Sequence, residues 1–135
     1  MYLEIKNLVK YYQKNSPVIK KLNFSVKKGE IISFLGESGS GKTTFLKCIS
    51  GLEKINSGTI SLNNNILNNK NIFVKPQERK IGFVFQDYPL FPHLNLKENI
   101  TFNLKPKYIK KLNYMVSLTR LENLLSRYPH ELSGG

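Results

Sequence analysis

Residues 36–43 constrain the fold of this chain more than any other segment, because their sequence, GESGSGKT, fits the phosphate-binding pattern G-x-x-x-x-G-K-[ST]. The apolar residues 31–35 before it predict a buried strand. Residues 44–52 after it predict a helix whose apolar residues at helical spacing are Phe45, Leu46, Ile49 and Leu52. Glycines allow positive φ and bring backbone N–H groups close to phosphate oxygens. The N-terminus of the helix adds its dipole and its unpaired donors. The pattern therefore predicts a nucleoside triphosphate site, rather than a strand-to-helix connection that binds no ligand.

Each residue type in this segment has an expected role. Lys42 is expected to reach the β- and γ-phosphates, and the Thr43 hydroxyl is expected to hold Mg²⁺. The predicted nucleotide-binding residues of the loop and the start of the helix are Gly36, Glu37, Ser38, Gly39, Ser40, Gly41, Lys42, Thr43 and Thr44.

Bulk properties narrow the class of protein. The 135 residues carry a net charge of +12, from 21 basic and 9 acidic residues, but the lysines are scattered, which indicates solvated surface charge rather than a nucleic-acid face. The single cysteine, Cys48, cannot form an internal disulfide and is predicted to be a small buried residue. No apolar run approaches the ~18 residues of a membrane span, and the N-terminus lacks the shape of a signal peptide. We therefore expect a cytoplasmic protein.

Other elements follow from alternation and turn residues. Strands are predicted at residues 3–9, 22–26, 59–62 and 81–85, with turns at Ser16-Pro17 and residues 63–65. The asparagine-rich stretch to residue 71 predicts a loop, and residues 76–79 a single helical turn. Residues 86–94 predict a loop whose apolar Leu90, Phe91 and Leu94 form a docking surface. Helices are predicted from Leu96 to about residue 126, and Gly51 is a predicted helix C-cap.

Three motifs in one order make the chain resemble the N-terminal part of the ATP-binding subunit of an ABC transporter. They are the phosphate loop, Val84-Phe85-Gln86 and Leu132-Ser133-Gly134-Gly135, and the resemblance covers essentially all of the chain. It implies an α/β fold: a P-loop NTPase core with an N-terminal antiparallel β portion and a helical subdomain, with the C-terminal part of the domain missing. Residues 1–86 would form the β portion and core, and residues 87–135 the helical subdomain up to the signature motif.

The resemblance also implies roles for residues outside the loop. Tyr12 would stack on the adenine of ATP, with Tyr11 as its rival and a core role as the alternative. Gln86 would reach Mg²⁺ and the attacking water, which makes it catalytic together with Lys42. In the family, the signature motif binds the γ-phosphate held by the opposite protomer. Ser133, Gly134 and Gly135 would therefore act in trans, in a head-to-tail dimer of two ATP-binding subunits.

Residues 78–94 are most similar to importers of the iron(III), polyamine and sugar group, and Gln86-Asp87-Tyr88 leans toward iron(III). The implied partners are a transmembrane permease subunit contacted around residues 88–94 and, indirectly, a substrate-binding protein; no nucleic acid is expected. The implied location is the cytoplasmic face of the inner membrane, as a peripheral subunit.

The chain ends within the signature motif, before the positions of the family's Walker B aspartate, catalytic glutamate and switch histidine. We therefore expect this chain alone to bind nucleotide weakly and to hydrolyse little. His93 and His130 precede the signature and are expected on the surface or in loops.

Three other functions stay open. An ABC ATPase of translation or DNA maintenance would suit the basic charge. A GTPase or small-molecule kinase is a further class, but Asn69-Lys70-Asn71 lacks the aspartate of a guanine-reading motif. The third alternative function is that of an inactive truncated subunit.

Overall fold

The computed structural model describes residues 1–14, 16–87 and 89–132. The chain divides into two compact units, Met1–Phe83 and Val84–Gly135. The first holds a sheet and one long helix, and the second is helical.

The first unit is built on a four-stranded antiparallel sheet in the order β2-β1-β3-β4. The strands are β1 (Leu3–Gln13), β2 (Ser16–Val26), β3 (Ser57–Leu62) and β4 (Asn65–Asn68). This confirms the predicted N-terminal antiparallel portion and the predicted strands at 3–9, 22–26 and 59–62.

Two loop predictions in this sheet were wrong. Ser16 and Pro17 pair with Gln13 and Tyr11 in a hairpin ladder instead of forming the turn. Pro17 is tolerated because β2 is an edge strand, where a missing N–H is not needed on the open side. Residues 65–68, predicted as loop, form the other edge strand. The buried Leu67 anchors that strand in the core, although its neighbours are mostly polar.

One helix, α1 (Lys42–Ser50), covers a face of the sheet. The core between them consists of Ile5, Leu8, Ile19, Phe45, Cys48, Ile60 and Leu67. Cys48 is fully buried, as predicted, and burial raises the pKa of its thiol to about 11. Gly51 is the predicted C-cap, with φ 85° and its N–H donating to Cys48 O.

The boundaries and the buried face of α1 differ from the prediction. The helix begins two residues earlier than expected, at Lys42, and it ends at Ser50. Leu46 and Leu52, expected on its apolar face, are each 41% exposed, since the face that meets the sheet is centred on Phe45 and Cys48.

The predicted strands at residues 31–35 and 81–85 are wrong for the described part of the chain, where neither segment is a strand. Ile31, Leu35 and Val84 are 98%, 92% and 88% exposed. An apolar run forms a buried strand only where other strands and layers flank it, and the sheet of the first unit ends at β2 and β4. Phe34 still packs on Phe24 and Phe45, with ring centroids 5.4 and 5.2 Å apart.

The second unit contains α2 (Leu96–Thr101) and α3 (Ile109–Leu118). Asn95 caps α2 in a reciprocal capping box with Glu98, which confirms the helix start predicted at Leu96. Short 3₁₀ turns lie at Pro106–Tyr108, Glu122–Leu124 and Pro129–Glu131, and the predicted turn of the first unit lies at Pro76–Glu78. The helical layer expected to residue 126 is interrupted, because Arg120 adopts positive φ after α3.

No helix in the described residues is long and apolar enough to cross a membrane.

Candidate nucleotide-binding site

The phosphate-loop segment leads directly into α1 and has a backbone that only glycine allows at two key positions. Gly36 has φ 154°, and a Cβ there would lie 3.2 Å from Ser40 Oγ. Gly41, the N-cap of α1, has φ 92°, and a Cβ there would lie 3.0 Å from Val18 Cγ1. The loop can therefore close tightly over itself and over β2, as the glycine pattern predicted.

Lys42 is the first residue of α1, and its ammonium folds back over the loop. Its Nζ donates to Gly36 O at 2.7 Å, to Glu37 O at 2.6 Å and to Ser40 Oγ at 3.1 Å. These contacts place a full positive charge in the curve of the loop. Residues 36–40 themselves are exposed, so an anion can approach the loop backbone from solvent.

The start of α1 is suited to an anion. Its N-cap is Gly41, which offers no side-chain acceptor, and its first turn contains no acidic residue. The first N–H groups of a helix have no partners within the helix, and the positive end of the helix dipole lies at the same point. The Thr43 side chain is exposed at this end, where its hydroxyl can meet a ligand. This geometry fits the phosphate groups of a nucleotide.

Tyr12, near the end of β1, lies beside the first turn of α1. Its hydroxyl is 3.3 Å from Thr44 Oγ1, and the residue is 56% exposed. The rival Tyr11 is 40% exposed. The backbone N–H of Tyr11 donates to Asn56 Oδ1. Of the two tyrosines, Tyr12 is the one whose hydroxyl meets the helix that follows the phosphate loop.

Two buried cations that contact residues of α1 or the segment just after it were missed by sequence reasoning. Lys10 donates to Glu53 Oε2 at 2.8 Å and lies over the Tyr12 ring, with Nζ 4.7 Å from the centroid. Arg79 is 2% exposed and donates to carbonyls at the C-terminal end of α1. Burial lowers the pKa of Arg79. Glu53 is 43 residues from Lys10, and Ile49 is 30 residues from Arg79, so no local pattern could have revealed these contacts.

Other predicted site residues lie elsewhere or outside the description. Gln86 is an exposed turn residue of the second unit. Tyr88 of the permease-contact segment, and Ser133, Gly134 and Gly135 of the signature motif, lie outside the described residues. No group of three or more His, Cys, Asp or Glu residues that could hold a metal occurs in the described part of the chain.

A family model for ABC transporters matches residues 19–135 of the chain. The chain belongs to the ABC transporter family. The matched range contains the phosphate loop, α1 and the signature sequence, and β1 with Tyr12 precedes it.

Relatives of this ABC transporter chain carry importer names. It is 36% identical to the sn-glycerol-3-phosphate import ATP-binding protein UgpC of Bartonella bacilliformis, over 98% of this chain and 39% of the relative. It is 39% identical to the spermidine/putrescine import ATP-binding protein PotA of Thermotoga maritima, over 98% of this chain and 36% of the relative. It is 38% identical to the maltose/maltodextrin import ATP-binding protein MalK of Vibrio cholerae, over 97% of this chain and 35% of the relative. The chain thus spans less than two fifths of the length of these relatives.

Solved structures of ATP-binding cassettes share the fold. The dimeric post-hydrolysis structure of the cassette MJ0796 bound to ADP and Pi matches with a TM-score of 0.81 and 32% identity, over 98% of this chain and 63% of that one. An ATP-binding subunit of an ABC transporter matches with a TM-score of 0.78 and 27% identity, over 98% of this chain and 56% of that one. The fold is therefore that of an ABC cassette, of which this chain spans a part.

Proposed function

We propose that this chain binds ATP with Mg²⁺ as the energy-coupling subunit of an ABC importer. The observation that carries the proposal is the convergence of three features on the first turn of α1: the Lys42 ammonium, the uncapped N–H groups and the Tyr12 ring. A cation and helix donors suit a triphosphate, and an exposed aromatic ring beside them suits a base.

Each residue would act by binding or orienting. Lys42 would exchange its loop carbonyls for the β- and γ-phosphate oxygens, and the Thr43 hydroxyl would be a ligand of the magnesium ion. That ion supplies charge neutralisation at the phosphates when it is bound. Residues 36–41 and Thr44 would surround the phosphates, Tyr12 would stack on adenine, and Gln86 would orient the attacking water.

Nucleotide binding is tested by titrating the chain with ATP and GTP in the presence of Mg²⁺. Lys42→Ala should weaken ATP binding by roughly 10- to 100-fold, which corresponds to a lost charge-assisted contact of about 1.5–3 kcal/mol. Lys47→Ala is the matched control, because Lys47 lies in the last turn of the same helix and should leave affinity unchanged. Equal loss in both variants, or clear selectivity for GTP, would contradict the assignment.

The importer role is proposed on the printed names of the relatives, which describe import ATP-binding proteins. The proposed permease contact is residues 88–94, where Leu90 and Phe91 are 44% and 42% exposed. Phe91 packs against Phe102, 60% exposed, at a centroid distance of 4.6 Å, so part of an aromatic pair faces solvent. A substrate-binding protein would take part only indirectly, and the subunit would sit on the cytoplasmic face of the inner membrane.

Two ATP-binding subunits would assemble head to tail, with Ser133, Gly134 and Gly135 reaching the γ-phosphate of the partner. The dimeric MJ0796 cassette supports the pairing of two such subunits. Affinity capture with the chain should recover a membrane permease subunit. Recovery of ribosomes or DNA would favour a non-transport ABC ATPase instead.

A further inference from the structure

Lys10 is a buried lysine with an unusual set of neighbours. The residue is 7% exposed, and its Nζ donates to Glu53 Oε2 at 2.8 Å and to Lys54 O at 2.9 Å. The same ammonium lies 4.7 Å from the centroid of the Tyr12 ring, within the distance at which a cation and an aromatic face attract each other. A carboxylate, a backbone carbonyl and an aromatic ring therefore contact one buried ammonium.

An ordinary ion pair would not require this burial. Lys6, on the same strand, pairs with Glu4 at 2.9 Å while 63% of its side chain stays exposed. Taking an ammonium out of water costs several kcal/mol, and replacing a buried pair with apolar residues is often neutral or stabilising. The contact of the Lys10 ammonium with the face of the Tyr12 ring distinguishes the two lysines.

The contacts of Lys10 limit how the Tyr12 ring can move. Lys10 and Tyr12 are two positions apart on β1, and their side chains lie on the same side of the strand, since the ammonium contacts the ring. The ammonium lies over the ring, and the phenol hydroxyl is 3.3 Å from Thr44 Oγ1 in the first turn of α1. Tyr12 nevertheless remains 56% exposed, so ring surface is left for a ligand. A ring held in this way loses less rotamer freedom when it binds.

We propose that Lys10 is the positioning residue for base recognition: it holds the Tyr12 ring so that its open face stacks on the purine of a nucleoside triphosphate. The inference rests on the proposed function and adds a residue to it. Glu53 and Lys54 O, just beyond the C-terminal end of α1, fix the ammonium. The loop at the N-terminal end of the same helix holds the phosphates. One helix therefore sets the distance between the two parts of the ligand.

The test compares the binding of ATP with that of inorganic triphosphate, which has no base. Lys10→Met should weaken ATP binding about 3- to 30-fold, the fold-change that corresponds to a cation–π contact, and should leave triphosphate binding unchanged. Lys10→Arg should retain most of the ATP affinity, because a guanidinium also pairs with carboxylates and stacks on aromatic rings. Lys6→Met is the matched control and should change neither affinity.

A second measurement separates positioning from general damage to the fold. In a Tyr12→Leu background, Lys10→Met should cause no further loss of ATP affinity, because the ring through which Lys10 acts is gone. Equal losses for ATP and triphosphate, or the same ATP loss with and without Tyr12, would overturn the inference. If Lys42→Ala changed the affinity of neither probe, the proposed function itself would fail, and this inference with it.

Discussion

Replacing Arg79 with methionine should destabilise the first unit, because its guanidinium donates to carbonyls at the end of α1, in β4 and at Val74. Nε donates to Val74 O at 2.8 Å, and Nη1 donates to Ile49 O at 2.8 Å and to Cys48 O at 3.0 Å. Nη2 is 3.4 Å from Leu67 O. Arg79 is 2% exposed, so water has little access to the contacts of its guanidinium.

The magnitude follows from which carbonyls have other donors. Cys48 O also accepts from Gly51 N, and Leu67 O also accepts from Val74 N. Arg79 is the donor that the described residues offer to Ile49 O and Val74 O. Two unsatisfied acceptors at about 1–3 kcal/mol each give roughly 2–6 kcal/mol. Relief of the buried charge offsets part of this, so we expect Arg79→Met to lower the free energy of unfolding by about 3 kcal/mol.

Urea denaturation followed by far-UV circular dichroism measures this free energy. Arg79→Lys should lose somewhat less than Arg79→Met, since an ammonium keeps the charge but lacks the planar fork that reaches both carbonyls. Arg127→Met is the matched control, because Arg127 is exposed and should change stability by less than about 0.5 kcal/mol. A loss below about 1 kcal/mol for Arg79→Met would refute the argument that the end of α1 depends on this side chain.

Gly51 gives an independent check of the same contact. A Cβ at Gly51 would lie 2.5 Å from Arg79 Nε, and φ is 85°. Gly51→Ala should therefore cost more in the wild type, where the guanidinium is pinned by carbonyls, than in Arg79→Met, where only the backbone strain of about 1 kcal/mol remains. Equal costs in both backgrounds would contradict the contact.

Two further predictions concern Cys48 and Asn99. Burial raises the pKa of the Cys48 thiol from 9.0 to about 11, so the unfolded chain loses this proton at lower pH than the folded chain. The free energy of unfolding should then fall as pH rises from about 9 to about 11. Urea titrations of Cys48→Ala at several pH values should show a smaller fall over this range; the same fall as in the wild type would show that Cys48 does not cause it. Asn99 accepts from Phe91 N at 2.8 Å and donates to Phe91 O at 3.1 Å, so Asn99→Ala should speed amide hydrogen exchange at Phe91 about 10-fold. Substitution of the exposed Asn113 of α3 by alanine should leave this exchange rate unchanged, and equal rates in Asn99→Ala and the wild type would show that Asn99 does not hold the loop.

Local signals predicted the elements whose causes are local. The start of α2 is specified by Asn95 and Glu98 three residues apart, and the end of α1 by Gly51. The strand predicted at residues 31–35 was wrong, because an apolar run indicates that burial is favourable but does not indicate which strand or layer would cover it. Whether residues 31–35 form a strand depends on a flanking strand, which no local pattern specifies.

The sequence by itself determined the family and the position of the phosphate loop, since spacing, glycine conformation and the following helix are encoded within a few consecutive residues. The tertiary structure decided which tyrosine meets α1 and which cations are buried beside it. Lys10 and Glu53 are 43 residues apart, and Arg79 and Ile49 are 30 apart, so these contacts exist only after the sheet and helix have packed. Charges that look like ordinary surface lysines and arginines in the sequence acquire their roles from burial, which depends on every element around them.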